Sequence, residues 1–150
     1  MEQQEIRSKF PVFSQNKRLV YLDNAATSQK PEGVIDRVRQ FYLSENSNIH
    51  RGNYPLSSRA SEYYAHSKQT VSHWIDARTP EEIVYTKSST EAINLVAAGM
   101  DGLTGPENNI VTTELEHSSN YFPWKELCRR TGVQFRVAEV EEDGSLKTEK

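Results

Sequence analysis

The chain has 150 residues, the size of one ordinary domain, with 35% hydrophobic residues, one cysteine and a net charge of −3. This composition excludes a collagen repeat, a coiled-coil rod and a disulfide scaffold, and it argues against a nucleic-acid binder, which would carry a basic patch. No apolar run approaches the roughly 20 residues of a membrane helix, and the polar start MEQQE is not that of a signal peptide. We therefore expect a soluble, cytoplasmic protein without membrane or nucleic-acid partners, whose low apolar content suggests completion by more chain, a second subunit or a cofactor.

The first half of the chain is predicted to be mainly helical. Residues 19–22 form an apolar run typical of a short strand, and Pro31 begins a helix, as a first-turn proline can. The apolar face of that helix is predicted to comprise Val34, Ile35, Val38, Phe41 and Tyr42. Residues 44–56 are irregular, and a second helix is predicted over residues 58–75. Its inward residues are predicted to be Ala60, Tyr64, Val71 and Trp74.

The second half alternates between strand and helix patterns. Strands are predicted over residues 82–86 and 109–112, with an extended segment over 133–140 and a charged, turn-like tail over 141–150. Helices are predicted over residues 92–100, with Ala92, Ile93, Val96 and Met100 inward, and from Pro123 onward. This order predicts an α/β fold with βαβ units and a mostly parallel sheet flanked by helices. Since ligands bind outside the carboxyl ends of such strands, the loops after Thr86 and Thr113 are candidate sites.

The first of these loops contains Ser88, Ser89 and Thr90 at a predicted helix start. Unpaired N–H groups of the first helical turn, the helix dipole and these hydroxyls together form a possible anion site. The alternative is a plain N-cap, in which Ser89 or Thr90 caps the helix and Glu91 is favourable in its first turn.

The second loop contains His117, at the same edge of the predicted sheet. Its imidazole could stack on a flat cofactor or transfer protons near neutral pH, and the alternative is a surface histidine beside carboxylates. A zinc site of Glu114, Glu116 and His117 is not expected, because no second histidine or cysteine lies at ligand spacing.

Other candidate residues have simpler interpretations. His50 lies in the irregular stretch, where loops often hold functional groups, although a solvated loop histidine is the alternative. His66 and His73 lie seven residues apart, and we expect them to face outward from an amphipathic helix. Cys128 follows Leu127 on a predicted helix and has no histidine close in sequence, so we expect a buried structural cysteine.

Taken together, four segments in this order resemble the class V aminotransferase family, and most closely its group II cysteine desulfurases and selenocysteine lyases. The resemblance runs from about residue 10 to residue 145. The segments are 21–27 (YLDNAAT) with 29–31 (QKP), 48–52 (NIHRG), 90–96 (TEAINLV), and 114–120 (ELEHSSN) with 123–124 (PW).

The resemblance implies a fold-type-I body that binds pyridoxal 5′-phosphate (PLP) and functions as a homodimer. It implies an enzyme that removes sulfur from L-cysteine, leaving alanine and a persulfide on a catalytic cysteine. That sulfur would pass to an acceptor protein, for iron–sulfur cluster assembly or related thiolation. Residues 1–150 would correspond to the N-terminal segment and the first part of the large PLP-binding domain.

The resemblance also implies roles for individual residues. Ser89 and Thr90 would contact the cofactor phosphate, with Ser88 where the family usually has glycine. His117 would stack on the pyridine ring, and Ser118 stands where a second histidine is common. His50 would be the active-site histidine near the substrate. The pocket wall would include Ala25 and Ala26.

The family's Schiff-base lysine, the aspartate facing the pyridine nitrogen and the catalytic cysteine belong to segments beyond those present in residues 1–150. We therefore expect this piece to be inactive alone. Two alternatives stay open. One is another class V relative, such as a selenocysteine lyase. The other is a non-catalytic remnant that acts as an interaction module.

Overall fold

A computed structural model describes residues 3–147, and the chain divides after Ile83 into two compact units. The first unit contains four helices: α1 (Gln3–Ser8), α2 (Pro11–Gln15), α3 (Glu32–Ser44) and α4 (Pro55–Trp74), followed by a 3-10 turn, Pro80–Glu82. The second contains α5 (Ser89–Gly99), β1 (Asn109–Thr113), a 3-10 turn (Ser118–Asn120), α6 (Phe122–Thr131) and β2 (Gln134–Ala138).

The two long helices of the first unit begin at prolines, as predicted for α3, whereas α4 begins three residues before the predicted start at residue 58. Pro31 is the N-cap of α3 and Pro55 is the first residue of α4, where the missing proline N–H costs nothing. The predicted inward face of α3 is mostly exposed, with Val38 at 52% and Tyr42 at 69%, and only its Phe41 is partly buried. Trp74, predicted to face inward from α4, is 86% exposed, because α4 ends at this residue. The buried residues in the described part of this unit are mostly small, namely Ser57, Ala60 and Ser72, and Ile83 is the larger one.

The predicted strand over residues 19–22 is wrong. Val20 is 75% exposed and Leu22 is 90% exposed, and within residues 3–147 no strand pairs with this segment. Its polar groups make irregular contacts instead: Arg7 donates to the Leu19 carbonyl (2.7 Å), and the Tyr21 hydroxyl donates to the carbonyls of Asp23 and Thr27. An apolar run becomes a strand only where a neighbouring backbone completes its hydrogen bonds.

The predicted strand over residues 82–86 is wrong for the same reason. Ile83 has extended backbone (φ −87°, ψ 118°), yet the preceding residues form a 3-10 turn. Val84 and Tyr85 are exposed, and the only strands in the described part of the chain are β1 and β2. Extended backbone is thus present without a sheet partner.

The second unit forms one β–α–β arrangement, as predicted from residue 109 onward. β1 and β2 pair in parallel, from Asn109 opposite Gln134 to Thr113 opposite Ala138. α6 packs against both α5 and β2 and buries Leu127 completely, with Cys128 5% exposed beside it. Gly132 ends α6 in the left-handed conformation (φ 77°), where its N–H bonds the Cys128 carbonyl at 3.0 Å.

Several other predictions are confirmed. Helices are present at α3, α4, α5 and α6, with ends shifted by one to three residues. His66 and His73 are exposed on α4, as expected. Cys128 is buried, and that burial raises the pKa of its thiol. Val96 is the exception on α5, because it is 54% exposed rather than inward. Residues 148–150 of the predicted tail lie outside the described residues.

Candidate active site

Helix α5 begins where the first candidate loop was predicted, and Ser88 is its N-cap. The Ser88 side-chain oxygen accepts a hydrogen bond from the Glu91 N–H at 3.2 Å. The expectation that Ser89 or Thr90 caps the helix is therefore wrong. Ser88 has the extended backbone of an N-cap (φ −164°, ψ 164°), whereas Ser89 is already helical.

Glu91 completes this helix start from the other direction. Its carboxylate accepts a hydrogen bond from the Lys87 N–H while its own N–H is bonded to Ser88. This pair of hydrogen bonds is related to a capping box, in which a first-turn glutamate accepts a hydrogen bond from a backbone N–H that precedes the helix. In an α-helix, the N–H groups at Ser89 and Thr90 have no acceptor within the helix, so they are available to an anion.

His117 follows β1 and is held by its own turn. It is the N-cap of the 3-10 turn, and its Nδ1 accepts a hydrogen bond from the Ser119 N–H at 3.2 Å. The Ser119 hydroxyl lies 2.8 Å from the same nitrogen. Because a backbone N–H can only donate, Nδ1 carries the lone pair, and the ring proton of the neutral imidazole is assigned to Nε2.

Side-chain hydrogen bonds around Asn120 stabilise the 3-10 turn that follows His117. The Asn120 amide donates to the Glu116 carboxylate at 2.8 Å, and its oxygen accepts from the Trp124 indole N–H at 2.8 Å. These contacts join residues four positions apart across the start of α6. The motifs alone did not point to a role for Ser119 or Asn120. Both residues lie in the family-like segment 114–120, and their short polar run after His117 is of a kind common in turns.

Thr90 and His117 line the same cleft, of about 490 Å³, within the second unit. Its other lining residues include Asn94, Ser119, Phe122 and Glu126. Glu126 is paired with Arg129 through contacts of 2.8 and 2.9 Å, and this hydrogen bonding lowers the pKa of the glutamate. A helix start and an oriented imidazole in one cleft of this size fit a flat ligand that carries an anionic group.

His50, in the first unit, lines a separate cleft of about 210 Å³ with Tyr64, Lys68 and Glu81. Its backbone is left-handed (φ 73°), and its ring meets Tyr64 edge to face with centroids 5.4 Å apart. Ala25 and Ala26 lie in an exposed turn, in which the Ala26 N–H bonds the Asp23 carbonyl at 3.2 Å. Their roles at a substrate pocket stay predictions.

Across residues 3–147, no group of three or more histidine, cysteine, aspartate or glutamate side chains is placed to hold a metal ion. None of the helices in that range is both long enough and apolar enough to cross a membrane.

The sequence profile of the aminotransferase class-V family matches residues 20–150. The chain belongs to this family. A probable cysteine desulfurase of Synechocystis sp. is 43% identical over 149 residues, which cover 96% of this chain and 35% of that protein. A cysteine desulfurase of Cronobacter sakazakii is 40% identical, over 98% of this chain and 37% of that protein. This class V chain thus spans little more than a third of the length of these relatives.

Solved structures agree with this membership. The apo cysteine desulfurase from Thermococcus onnurineus NA1 matches with a TM-score of 0.88 and 34% identity, over 98% of this chain and 36% of that one. A C-DES mutant with glycine covalently linked to its PLP cofactor shares the fold, with a TM-score of 0.72 at 19% identity. The predicted fold class is therefore confirmed: the chain has the architecture of part of a fold-type-I PLP-dependent enzyme.

Proposed function

We propose that this chain forms part of a PLP-dependent cysteine desulfurase, which converts L-cysteine to alanine and transfers the sulfur to an enzyme thiol. The observation that carries the proposal is the joint placement of Thr90 and His117 in one cleft. The names of the relatives, cysteine desulfurases at about 40% identity over nearly the whole chain, support the same activity.

The start of α5 is suited to the cofactor phosphate. The N–H groups of Ser89 and Thr90 and the Thr90 hydroxyl are donors, and the positive end of the helix dipole favours an anion there. The Ser88 hydroxyl accepts the cap hydrogen bond from Glu91 and therefore keeps its own proton to donate.

His117 is suited to the pyridine ring. Its contacts with Ser119 prevent free rotation of the imidazole, so a stacked orientation is prepared before the cofactor binds. Nε2 holds the ring proton and is the atom that would donate a hydrogen bond or pass a proton near the substrate. PLP supplies the electron sink for this chemistry.

The residues proposed to act on the substrate lie in the first unit. We assign His50 to the cysteine substrate, and Ala25 and Ala26 to the pocket wall, because these residues lie in the family-like segments 21–27 and 48–52. The Schiff-base lysine and the sulfur-accepting cysteine are assigned to parts of the protein outside residues 1–150. A homodimer in the cytoplasm and a sulfur-acceptor protein complete the proposal.

The test begins with the full-length product that carries this segment. We expect it to retain PLP and to form equal amounts of alanine and sulfide from L-cysteine in the presence of a thiol reductant. His117→Ala should lower both PLP retention and turnover, because the ring loses its stacking partner. His66→Ala, which removes an exposed histidine of α4, is the control and should change neither.

Two results would contradict the proposal. Absence of alanine from wild-type protein loaded with PLP would exclude desulfuration of cysteine, and a faster reaction with selenocysteine would favour the lyase alternative. Wild-type PLP content and rate in His117→Ala would remove the stacking role.

A further inference from the structure

His50 occupies a backbone conformation that needs support from its surroundings. Its φ of 73° lies in the left-handed region, which residues with a side chain adopt at an energetic cost. Such a conformation persists only where neighbouring contacts over-determine it. One such contact is local, the hydrogen bond from the Arg51 N–H to the Ile49 carbonyl at 3.1 Å, and the others come from helix α4.

Two serine hydroxyls, one helical turn apart on α4, form hydrogen bonds with the backbone of His50 and of Asn48. The Ser61 hydroxyl oxygen accepts a hydrogen bond from the His50 N–H at 3.0 Å, and the Ser57 hydroxyl donates to the Asn48 carbonyl at 2.6 Å. The Ser61 hydroxyl also donates to the Ser57 carbonyl at 2.9 Å, which orients its lone pair toward the loop. We call Ser57 and Ser61 the serine pair.

Close packing adds to these hydrogen bonds. Ser57 is 1% exposed and Ala60 is 3% exposed, so the loop lies directly on the helix surface. A Cβ added to Gly52 would lie 2.2 Å from the Ser57 Oγ, which leaves no room for any side chain at that position. The loop is therefore held on both sides of His50.

The same face of α4 also positions the imidazole. Tyr64 follows Ser61 by three residues, and its ring lies perpendicular to the His50 ring at 89°. Residues three and four apart share one face of a helix. Backbone support from Ser57 and Ser61 and a ring contact from Tyr64 thus come from one stripe of α4.

We propose that Ser61, with Ser57, is a positioning residue for His50, and that its hydroxyl holds the loop conformation that points the imidazole to the substrate. This inference rests on the proposed function for its catalytic consequence. The positioning itself is a property of the loop and is measurable without turnover.

The first experiment measures backbone hydrogen exchange at His50 in the full-length, PLP-loaded protein. Ser61→Ala removes the acceptor and should speed exchange of the His50 amide about ten-fold or more, because the loop opens locally. Ser61→Thr keeps an Oγ acceptor and should restore protection. Ser58→Ala is the matched control, since the exposed Ser58 hydroxyl contacts only its own helix at the Tyr54 carbonyl.

Wild-type His50 exchange in Ser61→Ala, or equal acceleration in Ser58→Ala, overturns the positioning role.

The second experiment measures kinetics in a double-mutant cycle with His50→Ala. Ser61→Ala should raise KM for cysteine about five-fold or more when His50 is present, with recovery in Ser61→Thr, and should add nothing in the His50→Ala background. An equal effect in both backgrounds would show that Ser61 acts on the fold, and overturns the proposal. If His50→Ala alone leaves kcat and KM unchanged, the assigned substrate role of His50 fails, while the exchange result still decides the positioning.

Discussion

Thr90 is the residue whose substitution we expect to affect PLP affinity most directly. It lies at the start of α5 and lines the cleft with His117. Thr90→Ala would remove the hydrogen bond that we propose to the cofactor phosphate, and a hydrogen bond to a charged group is worth roughly 1.5–3 kcal/mol. We expect the affinity of the full-length protein for PLP to fall by roughly 10- to 150-fold. Equilibrium binding of PLP, followed by its absorbance, measures the change.

Thr70→Ala is the matched control for this prediction. Thr70 is an exposed threonine of α4 whose hydroxyl donates to the His66 carbonyl at 3.0 Å, within its own helix. Its removal should leave PLP affinity unchanged. Equal PLP affinity in Thr90→Ala and the wild type would leave Thr90 as an ordinary first-turn residue.

Helix α5 depends on its N-cap, so substitutions of the neighbouring residues Ser88 and Ser89 should have different effects on its stability. Ser88→Ala leaves the Glu91 N–H without its acceptor and should destabilise the helix start by about 1 kcal/mol. Local hydrogen exchange in the first turn of α5 should then be about five-fold faster. Ser89→Ala, one residue further on, should leave that exchange rate unchanged because the Ser89 side chain is not the N-cap. The reverse order of effects would contradict the observed cap.

Many large apolar side chains are exposed across the described part of the chain. Leu22, Trp74 and Leu103 are 90%, 86% and 79% exposed, while only small clusters of hydrophobic residues, such as Leu127 with Val133, are buried. Large exposed apolar areas bind partners or promote association. We therefore expect residues 1–150, produced alone, to bind a hydrophobic dye and self-associate.

This isolated piece should also form no alanine or sulfide from cysteine, because the lysine and thiol of the proposed mechanism are assigned elsewhere. The full-length product, under the same conditions, should show weaker dye binding and full turnover. Turnover by residues 1–150 alone would contradict the division of catalytic groups proposed above.

Sequence reasoning was most successful where structure depends on neighbours along the chain. Helical spacing, with a proline start for α3, predicted α3 and α4 to within three residues, because helix hydrogen bonds join residues four apart. The strand predicted over residues 109–112 and the extended segment predicted over 133–140 correspond to β1 and β2. The segments at 19–22 and 82–86 have the same apolar character, yet they lack a strand partner in the described chain.

In the candidate site, too, local motifs could be identified from the sequence, whereas the contacts that orient the residues could not. Motifs identified Thr90, His117 and His50 as residues of interest, but not the groups that orient them. Ser88 rather than Ser89 caps α5, Ser119 holds the imidazole of His117, and Ser61 holds the backbone of His50. Serines are common in turns and on helix surfaces, so composition does not distinguish these three from the others.

The sequence by itself determined the family, the helices and the segments that carry the proposed chemistry, because each is encoded by local spacing or by a contiguous motif. Only the tertiary structure decided which apolar runs are strands, which side chains are buried and which hydroxyl meets which backbone group. These features depend on contacts between residues distant along the chain, such as the parallel pairing of Asn109 with Gln134 and the bond from His50 to Ser61. Their geometry exists only once the chain has folded.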